Sequence, residues 1–130
     1  MMESHDTRRL VAAARAARRK ACAPYSKFRV GAALLAANGK VYRGCNIENA
    51  SYGLTVCAER VAIFNAVSAG ERRFVTIAIV SAGAATPCGA CRQIMAEFAP
   101  NLRILVADAK GRGKVKTFVL DELLPSRFCL

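Results

Sequence analysis

Tryptophan is absent from this sequence, aromatic residues are few and scattered, and acidic residues are far outnumbered by basic ones. The 130 residues include 9 Asp and Glu against 20 Lys and Arg, which gives a formal net charge of +11. No uncharged apolar run approaches the roughly 20 residues of a membrane-spanning helix. Residues 1–9 are polar and charged, and no long apolar segment follows them, which argues against a secretory signal. We therefore predict a cytoplasmic protein without a membrane segment.

The basic surplus raises the question of a nucleic-acid partner, because positive charge attracts nucleic acids and other anionic surfaces. Proteins that bind single strands combine basic grooves with aromatic residues on which bases stack. This sequence contains no basic stripe interleaved with aromatic residues. The pattern therefore favours a solvated basic surface, and nucleic acid is not an expected partner.

The apolar pattern predicts a single domain over residues 1–130, in which strands alternate with helices. Predicted helices cover residues 5–22, 57–67 (or 55–67), 88–98 and 121–124. Predicted strands cover residues 29–37, 40–48, 74–81, 102–107 and 115–119. Pro24 ends the first helix, and Asn38-Gly39 is typical of a hairpin turn between the first two strands. The class is therefore α/β, a layered sheet with an antiparallel hairpin at one side.

Six cysteines in a chain without a secretory signal indicate a metal or catalytic role rather than disulfides. Cys57, Cys88 and Cys91 have the spacing of metal ligands. Three thiolates can bind Zn²⁺ and leave its fourth position open, as in a catalytic zinc site. Glu59, two residues after the first of them, can transfer protons at that open position. The remaining cysteines, Cys22, Cys45 and Cys129, have no such spacing.

Helix geometry explains how the three ligands could meet. Cys88 and Cys91 are separated as i and i+3, so they share one face in the first turn of a helix, where thiolates are stabilised. The strand at 74–81 would bring the starts of the two helices to one sheet edge. We hypothesise that Arg60 and Arg92, near these cysteines in the sequence, donate hydrogen bonds to the sulfurs and reduce their negative charge. A surface location is the alternative for each arginine.

Two further segments suggest a substrate that carries a sugar and a flat base. Asn46 and Glu48 lie two residues apart on a predicted strand, so their side chains would share a face and could bind vicinal hydroxyls. Phe28 could stack on a base. A solvated strand edge is the alternative for the polar pair, and core packing is the alternative for the phenylalanine.

Taken together, these segments resemble the small, homotetrameric, zinc-dependent cytidine deaminases of pyrimidine salvage. The resemblance spans nearly the whole chain from about residue 12 onward. Its Cys-Ala-Glu and Pro-Cys-Gly-Ala-Cys elements mark a wider deaminase superfamily. The Pro-Tyr-Ser-Lys-Phe and Cys-Asn-Ile-Glu-Asn elements narrow the expected substrates to nucleosides. The matching segments are residues 24–35 (PYSKFRVGAALL), 44–52 (GCNIENASY), 57–62 (CAERVA), 86–98 (TPCGACRQIMAEF) and 123–128 (LLPSRF).

The resemblance implies a three-layer α/β/α fold with a five-stranded mixed sheet, and one Zn²⁺ per subunit on the three cysteines. It implies hydrolytic deamination of cytidine and deoxycytidine to uridine and deoxyuridine plus ammonia, in which zinc hydroxide attacks C4 and Glu59 shuttles protons. The implied substrate contacts are Phe28 on the pyrimidine, Asn46 and Glu48 on the ribose hydroxyls, the Ala58 backbone on the ring, the Thr86 carbonyl on the exocyclic amine, and Tyr52 and Phe128 in a neighbouring subunit's site.

Four alternatives remain at this stage. A deaminase of another amine, such as the nucleoside antibiotic blasticidin S, is disfavoured by Glu48, which suits ribose hydroxyls. A polynucleotide deaminase would need additional elements to bind flanking nucleotides. A thioredoxin-like redox pair at Cys88 and Cys91 would leave Cys57 and Glu59 without a role. A structural zinc module would need a fourth protein ligand, and the only histidine, His5, lies in the predicted first helix.

Overall fold

The computed structural model describes residues 4–130, which form a five-stranded sheet between helices. The helices are α1 (His5–Arg18), α2 (Ala58–Ser68), α3 (Gly89–Phe98) and α4 (Leu120–Leu123), with a short 3₁₀ helix at Tyr52–Leu54. The strands are β1 (Val30–Ala36), β2 (Val41–Cys45), β3 (Phe74–Ser81), β4 (Arg103–Asp108) and β5 (Lys116–Val119). No helix in residues 4–130 combines the length and the apolar character needed to cross a membrane.

The sheet is mixed, and its strand order is β2-β1-β3-β4-β5. The pair β3 and β4 is parallel, whereas the other three neighbouring pairs are antiparallel. The predicted hairpin joins β1 to β2 through Gly39, whose φ of 89° is a conformation that glycine adopts without steric cost. The predicted α/β class and five-stranded mixed sheet are confirmed.

Alternation along the strands produces the three layers, because successive side chains point to opposite faces of a sheet. On one face, Ala33, Leu35 and Val80 pack with residues of α1. On the other face, Ala32 and Leu34 belong to a larger cluster with residues of α2, α3 and α4. Both faces of β3 are therefore covered, as its continuous apolar sequence predicts.

Gly44 allows α2 to approach β2 closely. A Cβ atom at this position would lie 2.5 Å from both the Ala58 carbonyl oxygen and the Ala62 nitrogen. Any larger residue would push away the first turn of α2, which is the turn that carries Glu59. A backbone contact on the edge strand thus controls the position of a candidate catalytic residue.

Two predicted boundaries differ from the structure by three residues or more, whereas the other boundaries agree to within one residue when the second helix is taken from residue 57. The first helix ends at Arg18 rather than at residue 22, because Cys22 instead pairs with Ile47 and its N–H donates to the Asn46 carbonyl oxygen at 2.9 Å. The second strand ends at Cys45 rather than at residue 48, because Ile47 turns away to pair with Cys22 and Val56. Asn46 and Glu48 therefore do not share one face of a regular strand.

Candidate active site

Three cysteine side chains meet where two helices begin. Cys57 is the N-cap of α2, Cys88 is the N-cap of α3, and Cys91 lies in the first turn of α3. Their sulfur atoms all lie within 4.8 Å of one another, and the Sγ atoms of Cys57 and Cys88 are 3.9 Å apart. Two sulfurs that share a tetrahedral zinc at about 2.3 Å each would be separated by roughly 3.8 Å. The arrangement therefore fits Zn²⁺, for which soft thiolates are preferred ligands.

The fold brings these helix starts together because β3 runs between them and both helices pack on the same face of the sheet. The segment before Cys57 is held by the pairing of Val56 with Ile47. In the part of the chain that the structure describes, the group of close metal-ligating side chains contains the three cysteines and no fourth protein ligand. Such a set leaves one position of the metal open, which is typical of catalytic rather than structural zinc.

Cys57 and Cys91 hold their protons unequally. The pKa of Cys57 is lowered to about 5, first by a hydrogen bond from Cys91 and then by Arg60. The pKa of Cys91 is raised, first by its hydrogen bond to Cys57 and then by burial. The metal-free cluster therefore places its negative charge on Cys57. A cation would favour loss of the remaining protons, so metal binding and thiol ionisation are coupled.

Glu59 is the second residue of α2 and is only 5% exposed. Its pKa is raised to about 7, chiefly because burial disfavours the carboxylate, and the charge on Cys57 acts in the same direction. A carboxyl group that titrates near neutrality can both accept and donate a proton under ordinary conditions. The position and the titration of this side chain suit proton transfer beside the cysteines.

The two arginines that the sequence suggested as partners of the thiolates make different contacts in the structure. Arg60 donates from Nη2 to the Cys57 sulfur at 3.3 Å, and its buried Nε has no hydrogen-bond acceptor among the described residues. Arg92 instead donates to the carbonyl oxygens of Pro87 and Leu123, both at 2.7 Å. Its predicted contact with a sulfur is not formed, because its guanidinium donates hydrogen bonds to these carbonyl oxygens instead. Arg92 ties the segment before Cys88 to the end of α4.

A cleft of about 180 Å³ opens beside the cysteines. Its walls include Glu59 and four of the predicted substrate-binding residues, Phe28, Asn46, Ala58 and Thr86. A second cleft of about 280 Å³ is lined by Tyr25, Ser26, Glu48, Tyr52 and Thr55. Thr55 lines both clefts, so they adjoin. Phe128 is 70% exposed and, among the described residues, is not part of either lining.

The predicted polar pair has two different environments. Asn46 is buried, accepts from the Val30 N–H at 2.9 Å and donates to the Phe28 carbonyl oxygen at 2.8 Å. Glu48 is partly exposed and accepts from the backbone N–H groups of Tyr25 and Ser26 at 3.0 and 3.1 Å. Asn46 thus fixes the backbone beside the first cleft, whereas Glu48 presents a carboxylate to the second.

Sequence reasoning did not single out Ser26 or Ser81. The Ser26 hydroxyl also hydrogen-bonds to Glu48, and it is the first cause of the lowered pKa of that carboxyl group. Ser81 is fully buried in the wall of the first cleft, where its Oγ accepts from the Ala85 N–H at 3.0 Å. The available signal for Ser81 was its place as the one polar residue at the carboxyl end of an apolar strand.

Comparison with known proteins supplies independent information. The family model for the cytidine and deoxycytidylate deaminase zinc-binding region matches residues 4–107. A cytidine deaminase from Sporosarcina psychrophila is 48% identical over 125 residues, which cover 95% of this chain and 91% of that protein. The crystal structure of a cytidine deaminase from Burkholderia pseudomallei superposes with a TM-score of 0.88 at 49% identity, covering 97% of this chain and 100% of that one.

A relative with a different named substrate is also similar. A blasticidin-S deaminase from Bacillus cereus is 33% identical over 113 residues, which cover 79% of each protein. Both kinds of relative are deaminases. The redox-pair alternative leaves Cys57 and Glu59 without a role, and the structural-zinc alternative lacks a fourth protein ligand among the described residues.

Proposed function

Because the chain belongs to the cytidine and deoxycytidylate deaminase family of zinc-binding proteins, we propose that it deaminates cytidine and deoxycytidine by hydrolysis. The products would be uridine or deoxyuridine and ammonia. The observation that carries this proposal is the buried Glu59 in the same cleft as Cys57 and Cys88, with the third sulfur within ligating distance. A nucleoside is a suitable substrate for two adjoining clefts, one for a base and one for a sugar.

In this mechanism, Cys57, Cys88 and Cys91 would hold Zn²⁺, a Lewis acid that makes a bound water acidic near neutral pH. Glu59 would accept a proton from the water and deliver it to N3 of the pyrimidine, and it would then accept the proton of the hydroxyl added at C4 and deliver it to the departing amine. Its raised pKa supports both halves of that cycle, since a group that titrates near 7 gives up a proton as readily as it takes one.

The linings of the two clefts support one orientation of the substrate. The pyrimidine would lie between Phe28 and the backbone of Ala58, with its amine directed at the Thr86 carbonyl. The sugar would then extend past Thr55 toward Glu48. The lowered pKa of Glu48 keeps this carboxyl group ionised, so it can accept hydrogen bonds from ribose hydroxyls. Asn46 lines the base cleft, where its hydrogen bonds would hold the backbone of Phe28 and Val30 in place.

The test of the proposed activity is ammonia release by the purified, metal-analysed protein with cytidine, cytosine and blasticidin S as separate substrates. We expect rapid release from cytidine, with about one zinc per chain. Release from blasticidin S alone would replace the proposed substrate class. No release from any of the three at full zinc occupancy would contradict the proposed reaction.

Glu48→Gln is expected to raise KM for cytidine by roughly 10–100-fold with a smaller change in kcat, because hydrogen bonds to a charged group are lost. The preference for cytidine over cytosine should fall by the same factor, since cytosine has no sugar. Glu71→Gln is the matched control, a carboxylate that accepts from Asn38 and Tyr42 near the opposite end of the sheet. An unaltered preference in the Glu48 variant would remove the sugar assignment.

Arg60→Gln is expected to slow turnover by about 10-fold while zinc remains bound, because loss of a ligand's hydrogen-bond partner typically reduces activity or metal affinity by this order. The positive charge on this guanidinium lies 3.3 Å from the Cys57 sulfur and offsets the negative charge of the thiolates. Arg43→Gln, at an exposed position on β2, is the control. Turnover equal to that of the unsubstituted enzyme would show that the contact has no part in tuning the metal.

We also propose that the chain is one domain that assembles as a homotetramer in the cytoplasm, with Tyr52 and Phe128 contributing to a neighbouring subunit's site. Both aromatic side chains are largely exposed in the single chain, at 77% and 70%, and large exposed aromatics are typical of interfaces. Three ligand thiols support a reducing compartment. Sedimentation equilibrium of the zinc-loaded protein is expected to give the mass of four chains; the mass of a single chain would contradict the shared site.

A further inference from the structure

A second concave site lies on the opposite face of the sheet from the cysteines. This basic cleft has a volume of about 330 Å³, within the range of small-molecule sites. It lies between α1 and the loop that joins β4 to β5, on the side of the sheet where α1 packs. The residues that line it are Arg8, Val11, Arg15, Ala107, Asp108, Gly111, Arg112, Gly113, Lys114 and Val115.

The lining of the basic cleft is strongly cationic. Arg8 and Arg15 come from α1, and Arg112 and Lys114 come from the loop, against Asp108 as the only acidic residue of the lining. The run from 110 to 116 contains a basic residue at every second position and no acidic residue. Part of the unexplained charge of +11 is therefore concentrated at one concave site.

The carboxylate in this cleft is already occupied by backbone donors. Oδ1 of Asp108 accepts from the Gly83 N–H at 2.8 Å, and Oδ2 accepts from the N–H groups of Lys110 and Arg112, both at 3.1 Å. These backbone hydrogen bonds also lower the pKa of the carboxyl group. Asp108 therefore acts mainly to shape the loop, and the nearby charge of Arg112 also helps to lower the pKa of this carboxyl group.

The cleft is also held in shape from the α1 side. Arg8, Val11 and Arg15 are spaced by three and four residues, so they share one helix face. Arg15 donates from Nη2 to the Asp108 carbonyl oxygen at 3.2 Å and from Nε to the Ala109 carbonyl oxygen at 3.4 Å. These bonds connect the helix to the start of the loop and hold one guanidinium at the wall of the cleft.

We propose that the basic cleft binds an oligophosphate anion, such as the phosphate chain of a nucleotide. Guanidinium groups match the geometry of phosphate oxygens, and cations from two elements converge on a space of small-molecule size. A chain of phosphates carries several negative charges, and it therefore matches the several cationic side chains of the lining better than a ligand with one negative charge would. The basic cleft is separate from the cleft beside the cysteines, so this proposal does not depend on the proposed reaction.

The test is calorimetric titration of the zinc-loaded protein with inorganic tripolyphosphate at physiological ionic strength. The variant Arg112→Ala/Lys114→Ala is expected to bind at least about 10-fold more weakly, a loss of about 1.4 kcal/mol. The matched control is Lys40→Ala/Arg73→Ala, which removes the same charge from exposed positions near the other end of the sheet. Unchanged melting temperatures and zinc contents would establish that both variants remain folded.

Two further ligands distinguish the source of the phosphates. Adenosine triphosphate is expected to bind like tripolyphosphate and to show the same dependence on Arg112 and Lys114, which supports a nucleotide-sized site. Binding of single-stranded oligothymidylate without binding of either small anion would overturn the proposal, since an extended strand would then be the ligand. Equal weakening by the two double variants, or no binding of tripolyphosphate, would also overturn it.

Discussion

Glu59→Gln is expected to lower kcat for cytidine by at least about 10²-fold, and up to roughly 10⁴-fold, which is the usual range for loss of a general acid–base group. The amide has nearly the same shape as the carboxyl group but cannot carry a proton between water, ring nitrogen and amine. Zinc content should stay near one per chain, because the three ligand sulfurs are unaffected. Ammonia release and zinc analysis on the same sample are the measurements.

The stability of the Glu59→Gln variant distinguishes loss of a proton-transfer group from misfolding. Burial raises the pKa of Glu59 to about 7, so the folded metal-free protein favours the protonated form. The contribution of this group to stability is therefore fully present below its ordinary pKa and is lost as the pH rises through about 7. A glutamine has no charge to desolvate, so the variant should be no less stable than the unsubstituted protein at pH 8 without zinc.

Glu97→Gln is the control for this prediction, since Glu97 is exposed on α3 and lies outside the residues that line either cleft of the site. It should turn over cytidine at the unsubstituted rate. A Glu59 variant that retained more than a tenth of the activity would show that another group moves the protons. A variant that lost both zinc and stability would instead indicate a structural role for this carboxyl group.

Loss of one ligand is expected to remove both the metal and the activity. Cys88→Ala should weaken zinc binding by more than the roughly 10–100-fold that follows loss of a ligand's hydrogen-bond partner, because one of only three protein ligands disappears. Cys88 is exposed, whereas Cys91 is fully buried, so replacing Cys88 disturbs packing least. Competition with a chromophoric chelator measures the affinity, and ammonia release measures the consequence.

Cys129→Ala provides the comparison, because this cysteine is also exposed but does not belong to the cysteine cluster. Its zinc affinity and turnover should be unchanged. Prolonged chelation of the unsubstituted protein should abolish activity, and added Zn²⁺ should restore it. Full activity of metal-free protein, or normal zinc binding by the Cys88 variant, would contradict the assignment of the metal site.

Most of the fold and the candidate zinc ligands could be predicted from the sequence because their signals are local. The apolar run of β3 and the Asn38-Gly39 turn each specify their conformation through neighbouring residues. Cys88, the N-cap of α3, and Cys91 in its first turn lie on one side of the helix because they are three residues apart. Strand ends were less predictable: β2 stops at Cys45 because Ile47 pairs with Cys22 and Val56, and such pairings depend on distant segments.

The sequence by itself indicated the α/β class through its periodicity, the candidate zinc ligands and Glu59 through their residue types and spacing, and the deaminase family through the resemblance of whole segments. Only the tertiary structure decided which arginine contacts a sulfur, because Arg92 finds the carbonyl of Leu123, a residue far along the chain. It also decided that Asn46 supports the backbone while Glu48 faces a cleft. The basic cleft likewise exists only because packing brings α1 beside the β4–β5 loop, and hydrogen bonds and charge clusters form between whichever groups the fold places together.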